Sequence, residues 1–312
     1  MLDRPQNRLD RVIQWTPTMD PLSQVFSLLN IRAARCTRFE ASGSWSYRFP
    51  AKSALKIGAV VRGECWLDVD GGPRCRLSVG DTFLLANAPG YVLASDEDAV
   101  PGDGIATFDW EHSDTARHNG DDTVLVAGSF SFDSSDASLL LEALPRFLRI
   151  PGEHPSAAVI GTTLRMITPE VKGPQIGAAV VTDRLVDVLL VLVLRAALDQ
   201  DDNEDFGWIG ALTDARIGAA LRLMHDRPAH RWTLEELCAE VAMSRSAFAK
   251  RFTSLVGQAP LTYLLRWRMR LARDLLRRGS SVAAAAFAVG YSSESAFRHA
   301  FTRLYGSSPK RC

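Results

Sequence analysis

The chain has 312 residues, 46% of them hydrophobic, which is enough for two ordinary cores. Its formal net charge is zero, but residues 213–312 hold 17 Lys+Arg against 7 Asp+Glu while the rest holds 19 against 29. The basic part, in which 15 of the 17 cations are Arg, suits phosphate and guanine contacts; the acidic part argues against nucleic acid there.

Five scattered cysteines (Cys36, Cys65, Cys75, Cys238, Cys312) include no C-x-x-C pair, as expected of reduced thiols in a cytoplasmic protein and not of a zinc finger. The opening Met1-Leu-Asp-Arg-Pro has no apolar run, so secretion is not expected.

Residues 20–133 read as β-rich. Leu55 to Asp70 alternates apolar and polar toward its end and meets Gly71-Gly72-Pro73, a hairpin signal. Cys75, Leu77 and Val79 continue with period two to a turn at Gly80-Asp81. Phe83–Leu85, Tyr91–Leu93, Ile105–Trp110 and Thr123–Phe132 supply further strands, which together predict a sandwich or small barrel.

From 136 to 198 the period becomes helical. Leu139 to Leu148 carries one apolar stripe and Val159 to Ile167 a second. Val181 to Leu198 is apolar nearly all round, yet Asp183, Arg184, Asp187 and Arg195 exclude a membrane span. A helix of that kind hides both faces most simply against a second subunit, with Leu185, Val188, Leu189 and Leu192 as the expected interface. Asp199–Asp205 then reads as an acidic linker.

Beyond it, residues 244–260 and 293–309 repeat one pattern 49 positions apart. Ser244/Ser293, Phe248/Phe297, Phe252/Phe301, Leu255/Leu304, Gly257/Gly306 and Pro260/Pro309 all match. In each copy two Phe and a Leu fall at i, i+4 and i+7, a Ser stands as N-cap, and Gly then Pro end the helix. Thr233-Leu-Glu-Glu236 is a capping box opening the helix before the first copy, and Ser281 caps the helix before the second. Two helix-turn-helix units are therefore expected, joined by a helix over Leu261–Arg278 whose 18 residues span about 27 Å. That length is comparable to the roughly 34 Å between successive major-groove faces of DNA. With the Phe residues packed inward, Arg245, Ser246, Ala249 and Lys250 in the first unit and Glu294, Ser295, Arg298 and His299 in the second become the candidate DNA-binding residues.

The segment 208–309 resembles the AraC/XylS family of bacterial transcription regulators, most specifically through G-Y-x-S-x-S-x-F-x-x-x-F-x-x-x-Y-G-x-S-P at Gly290–Pro309. The resemblance implies that each subunit inserts two recognition helices into adjacent major grooves, the first usually reading bases and the second more variable. The chain departs from the family at Ala283–Ala286, where larger apolar residues are usual and looser packing follows. Asp20-Pro21-Leu22-Ser23 with the helix to Leu29, the Gly63–Gly71 hairpin and Gly80-Asp81 resemble the cupin-type sensor domains of one branch. Such domains are taken to sense small molecules or redox state and to dimerise.

The expected organisation is a cupin-like sensor and dimerisation domain at 1–198, an acidic linker at 199–207 and an all-α double helix-turn-helix domain at 208–312. Trp45, Trp66, Tyr91 and Trp110 are candidate ligand-cavity walls, plain core being the competing role. Cys36, Cys65 and Cys75, each near arginines or in the hairpin, are candidate redox thiols, with idle burial as the alternative. No His stands near Gly63, and Tyr91 occupies a place where relatives often carry His, so neither metal nor cofactor is expected. Glu111, His112 and His118 are candidates to join a metal site, a polar loop being the preferred setting for them. The expected partners are promoter DNA, RNA polymerase, an unknown small-molecule effector and a second copy of the chain, in the cytoplasm at the nucleoid. A metal-dependent cupin enzyme fused to a DNA-binding module is the rival reading.

Overall fold

A computed structural model describes residues 19–28, 31–51, 55–87, 89–107, 115–132, 134–172, 175–199 and 206–311. The chain divides into two compact units, Leu29–Ala211 and Met1–Leu28 together with Leu212–Cys312.

The first unit is a sandwich. Its strands are β1 (Ile31–Ala41), β2 (Ser46–Phe49), β3 (Leu55–Arg62), β4 (Glu64–Val69), β5 (Arg74–Ser78), β6 (Thr82–Leu85), β7 (Tyr91–Ala94), β8 (Gly102–Asp103), β9 (Thr115–His118), β10 (Thr123–Phe132) and β11 (Phe147–Ile150). One sheet runs β11-β6-β3-β10-β1-β9 and the other β5-β4-β7-β2-β8. Phe39, Val60, Phe83 and Leu125 from the first meet Cys65, Leu67, Leu77, Tyr91 and Leu93 from the second in one buried cluster. Gly58 is needed where Phe83 packs, because a Cβ there would lie 2.4 Å from the ring.

The Gly80-Asp81 turn is held by the buried Asp81 carboxylate, which accepts from Ser78 N (2.9 Å), Gly152 N (2.7 Å) and Arg149 Nη2 (2.7 Å). Those bonds tie the β5–β6 turn to β11, which pairs with β6. Phe147 and Leu148, expected on a helix, are therefore strand residues; the helical stripe stops at α2 (Ser134–Ala143). Ile105 to Thr107 form a turn instead of a strand, since the Asp103 side chain captures Ile105 N (2.8 Å) and Ala106 N (3.2 Å).

Helices α3 (Ala157–Lys172) and α4 (Ala178–Leu198) pack on each other, and α3 lies across β1, β6 and β10. Leu189 is fully buried within the chain, which corrects its assignment to a subunit interface; the same side of α4 leaves Val188 exposed and Leu185 and Leu192 half-buried. The short α5 (Gly207–Gly210) also belongs to this unit. Its buried Trp208 donates from Nε1 to Leu139 O at 2.9 Å, so the observed boundary falls after Ala211 and not before 208. No helix among the described residues is long and apolar enough to cross a membrane.

The second unit contains α1 (Pro21–Ser27), α6 (Ala215–Asp226), α7 (Leu234–Glu240), α8 (Arg245–Val256), α9 (Pro260–Arg277), α10 (Val282–Ala288) and α11 (Glu294–Tyr305). The presence of α1 here departs from the expected grouping of residues 1–198 with the sensor.

Candidate nucleic-acid interface

Both helix-turn-helix units form for the local reasons written in their residues. Thr233 Oγ1 accepts from Glu236 N (3.1 Å) while Glu236 Oε2 accepts from Thr233 N (2.9 Å), the complete capping box of α7. Ser244 caps α8 through Ala247 N (3.3 Å), Ser281 caps α10 through Ala284 N (3.1 Å), and Ser293 caps α11 through Ala296 N (3.4 Å). Gly257 and Gly306 end α8 and α11 in the left-handed region, at φ 77° and 69°.

The repeat also runs through the first helix of each unit, with a shift of 48 in place of 49. Buried Leu237, Cys238 and Val241 correspond to buried Ala285, Ala286 and Val289. The bonds Met243 N to Cys238 O and Tyr291 N to Ala286 O, both 3.0 Å, are the same bond in the two turns. One additional residue, Ser292, accounts for the change in register. At the offset of 49 the first helices are therefore one residue out of register. The alanines that suggested loose packing are split in role: Ala285 and Ala286 are buried with Met269, Phe297 and Phe301, whereas Ala283 and Ala284 face outward.

Phe248 and Phe252 are fully buried, as are Phe297 and Phe301. On α8 this leaves Arg245, Ser246 and Lys250 exposed and Ala249 half-buried; on α11 it leaves Ser295 and His299 exposed and Glu294 and Arg298 half-buried. The two sets of outward residues thus share one backbone arrangement. Their charges are handled differently. Arg245 pairs with Glu235 (2.7 Å), and Arg298 donates from Nε to Glu294 Oε1 (2.8 Å). Among the described residues no carboxylate pairs with Lys250.

Sequence reasoning missed a brace behind α8. Asp214 caps α6 through Ile217 N (2.8 Å) and Arg216 N (3.0 Å) and accepts from Arg251 Nε at 2.8 Å. Burial works to raise the Asp214 pKa, but the Ile217 N–H, the Arg251 guanidinium and the Arg216 N–H together hold it below the usual carboxylate range. Arg216 Nη1 donates to Val241 O (2.5 Å) and Ala242 O (2.7 Å), carbonyls of the turn preceding α8. The signal for this brace was the N-cap pattern at Asp214; its partner on α8 lies 37 residues away and is fixed only by packing.

In the sandwich, Trp45 and Tyr91 do lie in the common core. Trp66 does not: β4 buries Cys65, Leu67 and Val69 on one face, and Trp66 stands on the other beside Arg74, 5.9 Å from its ring. Trp110, Glu111 and His112 lie outside the described residues. His118 accepts or donates at Nδ1 to Tyr47 Oη (2.8 Å). No cluster of three His, Cys, Asp or Glu suited to a metal occurs among the described residues. Cys36 is buried. Burial pushes the Cys65 thiol up to about 12 and raises that of Cys75, the reverse of an activated thiolate.

A β-sandwich followed by paired helix-turn-helix units is the architecture of a two-domain DNA-binding regulator. Two family models match the chain: "Cupin" over residues 20–199 and "Helix-turn-helix domain" over 237–312. The sequence is 40% identical over 294 residues to a putative AraC-like transcription regulator of Streptomyces antibioticus, covering 93% of this chain and 97% of that one. It is 29% identical over 303 residues to the HTH-type transcriptional regulator AlkR of Acinetobacter baylyi, covering 94% and 98%. Among solved structures, the DNA-binding domain of AdpA in complex with a target DNA aligns at 34% identity and a TM-score of 0.30, covering 32% of this chain and 89% of that domain. The chain belongs to the AraC-like family of DNA-binding transcription regulators with a cupin-type N-terminal domain.

Proposed function

We propose that the chain regulates transcription as a homodimer whose subunits each lay α8 and α11 into adjacent major grooves, without catalysing a reaction. The observation that carries this reading is the duplicated outward face: Arg245, Ser246, Ala249 and Lys250 on α8, and Glu294, Ser295, Arg298 and His299 on α11, each opposite two buried Phe. Lys250, exposed in the middle of its helix, is the principal cation for base or phosphate contact. A footprint on DNA selected from a random pool should cover two major grooves per subunit. Affinity should fall with salt at a slope of about −0.9 per phosphate neutralised. Equal protection of selected and random DNA would reduce the protein to a non-specific architectural role.

The homodimer is supported by exposed apolar residues on the α3–α4 pair: Met166 at 54%, Val180 at 64% and Val188 at 48%. Because Leu189 is core, the discriminating variant is Val188→Asp, which should yield monomers by sedimentation while the fold persists. A wild-type monomer at micromolar concentration would remove the dimer. The expected signal is a small molecule, with Trp45 and Tyr91 as the candidate contacts, and the raised pKa values of Cys65 and Cys75 speak against oxidation at those two thiols. RNA polymerase is the transcriptional partner, and the setting is the nucleoid in the cytoplasm.

A further inference from the structure

Residues 227–232 join α6 to α7 and take no part in the outward faces of α8 and α11, yet they are held from three sides. The first hold is local. His230 N donates to Arg227 O (3.1 Å), Trp232 N to His230 O (2.8 Å) and Trp232 Nε1 to Arg227 O (3.2 Å). The Arg227 guanidinium lies 4.6 Å from the ring of Trp232, which is buried. Since Arg227 ends α6 and Thr233 opens α7, this turn moves with the first helix-turn-helix unit.

The second hold comes from α9. Arg268, ninth of the 18 residues in that helix, donates from Nε to Pro228 O (2.6 Å) and from Nη2 to His230 O (2.5 Å). Both bonds are charge-assisted, and the planar guanidinium grips the two carbonyls in a fixed orientation. The third hold is backbone against backbone. Gly290, in the turn of the second helix-turn-helix unit, has φ 88°, and a Cβ on it would lie 2.3 Å from Ala229 O. Ala229 is the residue between the two carbonyls that Arg268 grips. Tyr291, next after Gly290, interacts electrostatically with Arg268 and meets Phe297 of α11 edge-on at 5.6 Å.

We propose that Arg268 is a positioning residue: by clamping residues 228–230 against the Gly290 turn, it makes this loop a wedge that fixes α11 relative to α8. The serine caps, glycines and phenylalanines each act inside one helix-turn-helix unit. Helix α9 meets the first core through Tyr263, edge-on to Phe252, and the second through Met269 and Ala272. Arg268 stands between those contacts, where the wedge opposes rotation of one unit against the other about the helix axis. One base pair more or fewer between two grooves turns the second by about 35° and shifts it by about 3.4 Å, so a fixed wedge admits one spacing. As a determinant of groove spacing the wedge rests on the two-groove reading; as a restraint between α8 and α11 it does not.

The first arm of the test uses the full chain without DNA. Spin labels on ketone-bearing side chains introduced at positions 250 and 299, both exposed, report the distance between α8 and α11 by dipolar spectroscopy. Wild type should give one narrow distribution, which Arg268→Met should widen about two-fold. Arg268→Lys, which keeps the charge but loses the fork, serves if the methionine variant fails to fold and should widen it less. The second arm uses unlabelled protein and a duplex selected by wild type, with one base pair inserted or removed between the protected grooves. Wild type should lose about 30-fold in affinity on the altered duplexes, and Arg268→Met less than about 5-fold. An unchanged distance distribution in both variants would overturn the wedge. So would a variant that keeps the full spacing preference of wild type, which would reduce Arg268 to a stabilising contact. A wild type indifferent to spacing would instead remove the two-groove reading, and a widened distribution would still uphold the wedge.

Discussion

The two helix-turn-helix units share a skeleton and differ in almost everything that surrounds it. The first is backed by α6, by the His225–Tyr263–Trp267 cluster and by the Asp214–Arg251 brace. The second is closed by a smaller cluster in which Ala285 and Ala286 stand where the first has Leu237 and Cys238, and Phe287 of α10 is left 80% exposed. Their outward residues diverge as well: Arg245 against Glu294, Ala249 against Arg298, Lys250 against His299. The serine caps, the paired phenylalanines and the terminating glycines are the same in both units, while most outward positions of α8 and α11 differ. We propose from this difference that the first unit is the stronger reader, with an exposed lysine and a braced helix. In the second, Arg298 begins tied to Glu294 on its own helix.

The largest effects should come where the units are alike. Phe252→Ala and Phe301→Ala each remove a fully buried ring and should each cost about 3–5 kcal/mol in urea unfolding. A cost below about 1 kcal/mol at Phe301 would mean that the second unit does not share the first unit's packing logic.

Acid should then separate them. Burial drives the His225 pKa down to about 3 from 6.5, against a smaller upward pull from Asp20. Because the folded value is the depressed one, stability is complete above pH 6.5 and drains as pH falls toward 3, by about 1.4 kcal/mol per pH unit. At pH 5 the first unit should have lost about 2 kcal/mol. Hydrogen exchange should therefore accelerate in α8 before α11; His225→Gln should flatten this dependence. Simultaneous loss in both units would show that they unfold as one.

DNA affinity should divide in the same direction. Lys250→Ala should cost about 1–3 kcal/mol on a selected site, and His299→Ala less than about 1 kcal/mol, by fluorescence anisotropy at fixed salt. Equal losses would make the two helices equivalent readers.

The smallest effect concerns the two turns. Ala242 is held at φ 51°, where its counterpart is Gly290 at φ 88°. Ala242→Gly should therefore stabilise by up to about 1 kcal/mol, since glycine meets no steric penalty there. The reciprocal Gly290→Ala should destabilise, because its Cβ would fall 2.3 Å from Ala229 O. Thermal unfolding of the two variants moving in the same direction would contradict the assigned turn geometry.

Much of the reader was legible in the sequence because its determinants are local. Caps at Ser244, Ser281 and Ser293, the capping box at Thr233, glycines at 257 and 306 and the i, i+4 phenylalanines each act within one or two turns of chain. Alternation and Gly-Asp turns likewise exposed the sandwich. What sequence alone left undecided depends on chain segments far apart. Trp66 faces away from Trp45 and Tyr91 because the β4 pleat, fixed by its pairing with β5 and β7, turns it outward. Leu189 is core because α3 and α4 pack together, although the apolar stripe alone suited a subunit interface equally well. Phe147 joins β6 because Asp81 anchors the neighbouring turn, and α1 leaves the domain that follows it because its buried residues find α6. Short-range hydrogen bonding and periodicity specify an element's kind; which apolar faces meet is decided only when distant segments compete for the same burial.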